Sequence, residues 1–161
     1  CMQYSPQSCT GAEAFDINKL KNSAIFKELD LDWDAIHTHD AQFWKYEWDK
    51  HGTCSGLGLV EYFSEALRAY DAIPSLRNLF MPAMQSGGTI SVEESQIRSI
   101  LGSGKVSIKC HYTNENGRKK YWFDKLQVCF SRNSDGSVGE RTNCGGKLST
   151  CHGPIFIDGI Q

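Results

Sequence analysis

Between Phe43 and Ser55 the chain reads FWKYEWDKHGTCS, a run in which a carboxylate, Glu47, stands four residues before an imidazole, His51, with Lys50 alongside. On a helix turning about 100° per residue, Phe43, Tyr46, Glu47, Lys50 and His51 fall within an arc of roughly 140°. Trp44 and Trp48 lie beside that arc and can bury against a core, while Lys45 and Asp49 point to solvent. The shared face offers a general base, a cation able to stabilise an anion and a carboxylate that tunes both. Histidine exchanges a proton near neutral pH, lysine can neutralise a developing phosphorane, and Phe43 at the edge can stack on a base. That chemistry suits single-stranded RNA, whose 2′-OH is an internal nucleophile needing only proton transfers and charge stabilisation, with no metal or other cofactor. The competing reading is a surface Glu–His pair on an amphipathic helix with Phe43 in the core, since i,i+4 pairs are common decoration.

The elements that must position this face follow from the apolar spacing. Asp16 can cap a helix carrying Ile17, Leu20, Ala24, Ile25, Phe26 and Leu29 and ending near Trp33, with Asp30 to Asp34 closing it. A second helix begins after Asp40 and stops at Gly52, which suits a left-handed C-cap. Leu59, Val60, Phe63, Leu67 and Tyr70 mark a third, broken before Pro74, and Leu76 to Phe80 a short fourth. Ser91 with Glu94 reads as the capping box of a fifth, which carries Ile97, Ile100 and Leu101 before Gly102. Alternation at Val106, Ile108, Cys110 and Tyr112, a turn at TNENGRK and renewed alternation at Leu126, Val128 and Phe130 predict a hairpin. NSDGS is a further turn and PIFI a short strand. Helices first and strands last indicate an α+β class.

At 161 residues and 40% hydrophobic, the chain can bury one sizeable core, and without repeats or linkers it reads as a single domain over residues 1–161. Seventeen basic against nineteen acidic side chains, a net charge of −2, exclude binding of nucleic acid by broad phosphate neutralisation. No apolar run reaches membrane-spanning length, and CMQYSPQSC lacks the features of a signal peptide, so the expectation is a soluble, processed or trimmed chain without a membrane partner. Seven irregularly spaced cysteines without CxxC pairs point to disulfides in an oxidising, secreted or lumenal compartment. The odd count leaves one sulfur over, and Cys1 is the candidate. A metal site built from His37, His39 and Asp40 lacks a second ligand cluster. Phe63, Tyr70, Trp122 and Phe123 read as core or strand-face packing.

FWKYEWDKHGTC resembles the second conserved motif of the T2 family of secreted acid ribonucleases, F-W-x-H-E-W-x-K-H-G-T-C. The likeness extends along the chain through the cysteine and "FD" before the first helix, the tryptophan before the motif, the "YF" helix after it and four late cysteines. It implies an α+β fold with an antiparallel sheet packed with several helices. It also implies cleavage of single-stranded RNA by transphosphorylation through a 2′,3′-cyclic phosphate, without a metal. His51 would then be the general base on the 2′-OH, Glu47 the catalytic acidic residue, Lys50 the transition-state lysine and Phe43 part of the base pocket. Tyr4 lies where the family often has a base-stacking tyrosine. The resemblance further implies disulfides Cys9–Cys54, Cys110–Cys151 and Cys129–Cys144.

Two departures stand out. Tyr46 replaces the histidine that contacts phosphate, and a phenol donates a hydrogen bond but adds no positive charge near neutral pH. The family's first motif, H-G-L-W-P, with the other catalytic histidine and a central strand, is absent. His37, His39, His111 and His152 remain, in a polar loop and beside the late cysteines. The expectation is therefore a domain incomplete at its N-terminus, with a second histidine on an upstream segment that is held as a separate fragment through Cys1, the reading preferred over a trimmed chain or a divergent form that repacked. The alternative is a catalytically inactive ribonuclease-like storage or recognition protein.

Overall fold

Asp16 accepts a hydrogen bond from the Asn18 N–H at 2.9 Å and opens helix α1 (Ile17–Lys21). The single helix expected up to Trp33 is two, α1 and α2 (Phe26–Asp32). Asn22 closes α1 with its N–H on the Asn18 and Leu20 carbonyls, and Ser23 Oγ donates to the Leu20 carbonyl at 2.6 Å. These bonds occupy the acceptor that a continuing helix would use. The computed structural model describes residues 7–33 and 39–158, so Cys1, Tyr4, Asp34 and His37 lie outside the described residues. By its contacts the chain divides into two compact units, Cys1–Ala72 with Arg132–Gly139, and Ile73–Ser131 with Glu140–Gln161.

The first unit is helical. Helices α1, α2, α3 (Asp40–Lys50) and α4 (Leu59–Asp71) surround a core of Leu20, Leu29, Trp44, Trp48, Leu59, Phe63 and Leu67. Aromatic rings lock it edge to face, with Trp33 against Phe63 at 5.4 Å and Phe26 against Trp44 at 6.1 Å. The N-terminal donors of α4 are satisfied from outside the helix and from within it. Glu13 Oε1 accepts the Leu59 N–H at 2.6 Å, and Glu61 Oε2 accepts the Gly58 N–H at 3.0 Å. Further along α4, Glu65 accepts the Val138 N–H at 2.6 Å and pairs with Arg68. Tyr70, read as packed, is 57% exposed, because the last turn of α4 runs past the final core residue, Leu67.

The second unit holds the sheet. Strands β1 (Thr89–Val92), β2 (Val106–Glu115), β3 (Arg118–Val128) and β6 (Ile155–Asp158) take the order β1-β6-β3-β2; β4 (Phe130–Arg132) pairs with β5 (Val138–Arg141) as a separate ribbon whose NSDGS turn is counted with the first unit. The sheet is mixed rather than antiparallel throughout. Chain neighbours β2 and β3 form the expected antiparallel hairpin, whereas β6, arriving after a long connection, lies parallel to β3. Asn116 and Gly117, at φ 51° and 78°, supply the left-handed pair that a two-residue hairpin turn demands.

Helix α5 (Arg77–Ser86) runs through Pro82, past the end expected at Phe80, giving up one internal hydrogen bond. Helix α6 (Glu94–Leu101) is capped at Glu93, two residues later than the expected cap. Ser91 belongs to β1, and the reciprocal contact is made by Gln96 Oε1, which accepts the Glu93 N–H at 2.7 Å. Glu94 instead pairs with Arg98 and accepts from Ser149 Oγ, each at 2.6 Å. Ile97 and Leu101 bury against Val92, Val106, Ile108 and Ile155.

Disulfides close both units as the resemblance implied: Cys9–Cys54 in the first, Cys110–Cys151 and Cys129–Cys144 in the second. No helix among the described residues is long and apolar enough to cross a membrane. Trp48 is fully buried, and its indole N–H donates to the Glu13 carbonyl at 3.1 Å. Trp48→Ala is therefore expected to cost about 3–5 kcal/mol of stability, as for other buried aromatic truncations. Denaturant unfolding measures it, against an exposed Tyr70→Ala control expected to change little.

Candidate active site

Helix α3 carries the charged face beside a stripe that is committed to the core. Trp44 and Trp48, four residues apart, are both buried, and the Trp44 indole donates to the Trp33 carbonyl at 2.9 Å. Asp40 in the first turn and Lys50 in the last complement the helix dipole. Tyr46, Glu47, Lys50 and His51 occupy the remaining arc, with Tyr46 53% exposed and the other three half-buried. Phe43, at the edge, packs against the core cluster with its ring edge to face on Trp33 at 6.3 Å.

The C-terminal end of α3 is fixed by hydrogen bonds that an ordinary helix end leaves to water. Lys50 O accepts the Ser8 N–H at 2.9 Å, and Asp49 O accepts Thr53 Oγ1 at 3.0 Å. Thr53 Oγ1 accepts the Cys9 N–H at 3.1 Å, beside the Cys9–Cys54 disulfide. The chain then tightens into a single 3₁₀ turn, Gly52–Cys54. His51 is the residue between helix and turn, its N–H on Glu47 O at 2.9 Å and its own carbonyl accepting the Cys54 N–H at 3.1 Å. Backbone bonds on both sides thus fix the Cα–Cβ direction from which the imidazole departs.

Gly52 does not form the left-handed cap expected of it. It is absent from the positive-φ glycines, and the helix is closed by His51 in the right-handed region. Glycine is required there by space: a Cβ on Gly52 would stand 2.3 Å from Trp48 Cε3. The sequence carried the glycine but not this reason for it.

Lys50 Nζ donates to Tyr46 Oη at 2.6 Å and lies 4.9 Å from the centre of its ring. That hydrogen bond, helped by the Glu47 charge, raises the ammonium pKa above the usual lysine value. Tyr62, on α4, escaped the sequence reading. Its ring meets Trp48 at 5.7 Å and Phe63 at 5.2 Å, and its hydroxyl, desolvated by burial and facing the negative charge of Glu47, has its pKa pushed up to about 12. The YF pair on the following helix was its signal, but nothing in the spacing tied it to Glu47.

Of the other histidines, His39 caps the far end of α3, about 18 Å from His51 along the helix axis. His111 and His152 belong to the second unit. Among the described residues no group of three or more His, Cys, Asp or Glu is placed to hold a metal ion. Cavities of about 270 Å³ beside His39 and Trp44, and about 440 Å³ between α4 and the Asp135 turn, do not include Glu47, Lys50 or His51.

The sequence model described as Ribonuclease T2 family matches residues 2–144. The chain belongs to the ribonuclease T2 family. It is 28% identical over 138 residues to Ribonuclease Oy of Magallana gigas, covering 79% of this chain and 63% of that protein. It is 40% identical over 72 residues to a ribonuclease-like storage protein of Panax ginseng, 40% of this chain and 29% of that one. The chain thus spans less than two thirds of the length of these T2 relatives. The α+β fold is also that of solved structures: ribonuclease MC1 from bitter gourd seeds superposes with a TM-score of 0.59 at 21% identity, over 96% of this chain and 78% of that one. A mutant of that protein in complex with 5′-UMP gives 0.61 at 20% identity, over 92% and 74%. Against the T2 motif, positions 47, 50 and 51 keep the pattern and position 46 departs from it.

Two measurements probe this geometry. Gly52→Ala forces Trp48 or the turn to move and is expected to cost about 1–3 kcal/mol, read from the denaturation midpoint. In an absorbance titration at alkaline pH, Tyr62 is expected to ionise near pH 12. Its pKa is raised above the unfolded value, so the stability it contributes is complete below about pH 10 and is lost as the pH climbs to about 12. Tyr62→Phe should remove that loss, and Glu47→Gln should bring the Tyr62 step to lower pH.

Proposed function

We propose that the protein is an endoribonuclease that cleaves single-stranded RNA by transphosphorylation, with its chemistry on the outer face of α3. The observation that carries this reading is the grouping of Glu47, Lys50 and His51 at a helix end whose backbone is fixed by Ser8, Thr53 and the Cys9–Cys54 bridge. A buried core explains Trp44 and Trp48 but gives no reason for a carboxylate, an ammonium and an imidazole on the face beside them.

In the proposed reaction His51 removes the proton of the 2′-OH, and the 2′-oxygen attacks the adjacent phosphorus. Negative charge grows on the phosphorane oxygens, where Lys50 offers its ammonium and Tyr46 its hydroxyl. Glu47 supports the positive charge acquired by His51. The P–O5′ bond then breaks, the 5′-oxygen takes a proton, and a 2′,3′-cyclic phosphate remains. The proton donor for that step belongs outside the described residues, as the upstream histidine of the sequence reading requires; Cys1, also outside them, is the proposed attachment. Phe43 lies mostly against Trp33, so its part in base binding is limited to the exposed edge of its ring. Tyr4 keeps its proposed stacking role. The nucleotide complexes of ribonuclease MC1 support a nucleotide ligand for this fold. Three disulfides support a secreted, lumenal or vacuolar location.

Cleavage of single-stranded RNA at mildly acidic pH, with the ends analysed for cyclic phosphate, tests the proposal. His51→Phe is expected to lower the rate by about 10²–10⁴, the usual contribution of a general base. Tyr46→His, which restores the family pattern, should raise kcat/KM. Intact RNA with both the unmodified protein and Tyr46→His would sink the catalytic reading in favour of a silent storage or recognition protein.

A further inference from the structure

The β2–β3 hairpin carries five lysines and arginines, Lys109, Arg118, Lys119, Lys120 and Lys125, against two carboxylates, Glu115 and Asp124, in a chain that is acidic overall. In its outer half Tyr112 is exposed and Tyr121 half-buried. Tyr112, 50% exposed, stands opposite Tyr121 with ring centres 6.0 Å apart, and Tyr121 meets the His152 ring at 5.4 Å. Lys119 Nζ lies 3.9 Å from the centre of the Tyr112 ring. On the other face of the hairpin the equivalent cation already has its partners: Lys120 sits over Trp122 and Phe156 and pairs with Glu115 at 3.4 Å. No carboxylate pairs with Lys119 among the described residues. The rings are tilted by 54° and 73° to one another, so they suit separate, unstacked bases of a single strand, and a cation beside the most exposed ring suits the phosphate that joins them.

We propose that Tyr112, Tyr121, His152 and Lys119 form a binding strip for single-stranded nucleic acid on the second unit. Bases stack on the rings and Lys119 meets the adjoining phosphate. The inference deepens the substrate reading above and rests on it for the identity of the natural ligand, but the strip needs no cleavage to act. Its probe is a fluorescein-labelled single-stranded oligodeoxynucleotide of twelve thymidines (about 12 nucleotides, within the length range of such sites), which lacks the 2′-OH and stays intact.

Anisotropy titrations against salt test the strip. Tyr112→Ala is expected to weaken binding roughly tenfold, the loss of one stacked base, with the salt slope unchanged, and Tyr112→Trp to restore it. Lys119→Ala should lower the slope of log K against log salt by about 0.7, the value for one phosphate contact on a single strand. Circular dichroism checks that the variants stay folded. Absence of oligonucleotide binding, or Tyr112→Ala and Lys119→Ala both binding like the unmodified protein, overturns the strip. His51→Phe separates the two proposals: it should slow cleavage by the factor expected of a general base and leave oligodeoxynucleotide binding intact. RNA cleavage that depends on His51 beside unchanged strip variants defeats the strip alone, and strip-dependent binding without any cleavage defeats the catalytic reading alone.

Discussion

The contact between Trp48 and Gly52 is the constraint on which the first unit turns. The indole is fully buried, tied by its N–H to the Glu13 carbonyl, and it fills the space where any side chain at position 52 would stand. The chain can therefore leave α3 only by a tight turn laid against the indole. His51, the residue between them, inherits its direction from a core tryptophan three positions earlier. Glu13 extends the same constraint to α4. Its carbonyl holds Trp48, while its carboxylate takes the Leu59 N–H and pairs with Lys19, the contact that does most to hold its pKa below the usual glutamate value. One residue thus links the polar helix, the start of α4 and α1.

The two units reach stability by different means. The helical unit relies on interlocked indole and phenyl rings, whose edge-to-face contacts fix the helices in one arrangement more narrowly than aliphatic packing would. The sheet unit relies on aliphatic side chains from α6 and the strands, closed by two disulfides. A single disulfide serves the helical unit, and it lies at the end of α3, beside the residues to which the proposed chemistry is assigned.

The sequence made the polar face of α3 legible because helical periodicity is a rigid rule: once residues 41–51 are helical, Tyr46, Glu47, Lys50 and His51 must share a side. The buried positions of Trp44 and Trp48 follow from the same rule. Less could be read where a local signal has two outcomes. Ser91 and Glu94 have capping-box spacing, but tertiary pairing drew Ser91 into β1 and left Glu93 and Gln96 to make the contact. Residues 16–33 carry one apolar stripe, yet Asn22 and Ser23 turned the backbone out of the helix. The parallel pairing of β6 with β3 and the approach of Tyr62 to Glu47 join positions far apart in the chain, and no spacing rule reaches them.

Position 46 shows how one substitution can exchange charge for geometry. The family pattern places a histidine there, four residues before Lys50, and a protonated imidazole at that spacing would repel the ammonium. Tyrosine reverses the relation: Lys50 donates to the phenol oxygen, so the flexible side chain has a partner on the working face. The phenol accepts that bond through a lone pair and keeps its own proton to give. A phosphodiester oxygen bound there would meet the remaining ammonium protons and the phenol proton together. It would meet one positive charge instead of two, but from donors already brought side by side. Less attraction for the ground-state phosphate and a better ordered lysine act on different steps, so the substitution bears first on binding and leaves the transition-state role proposed for Lys50 in place.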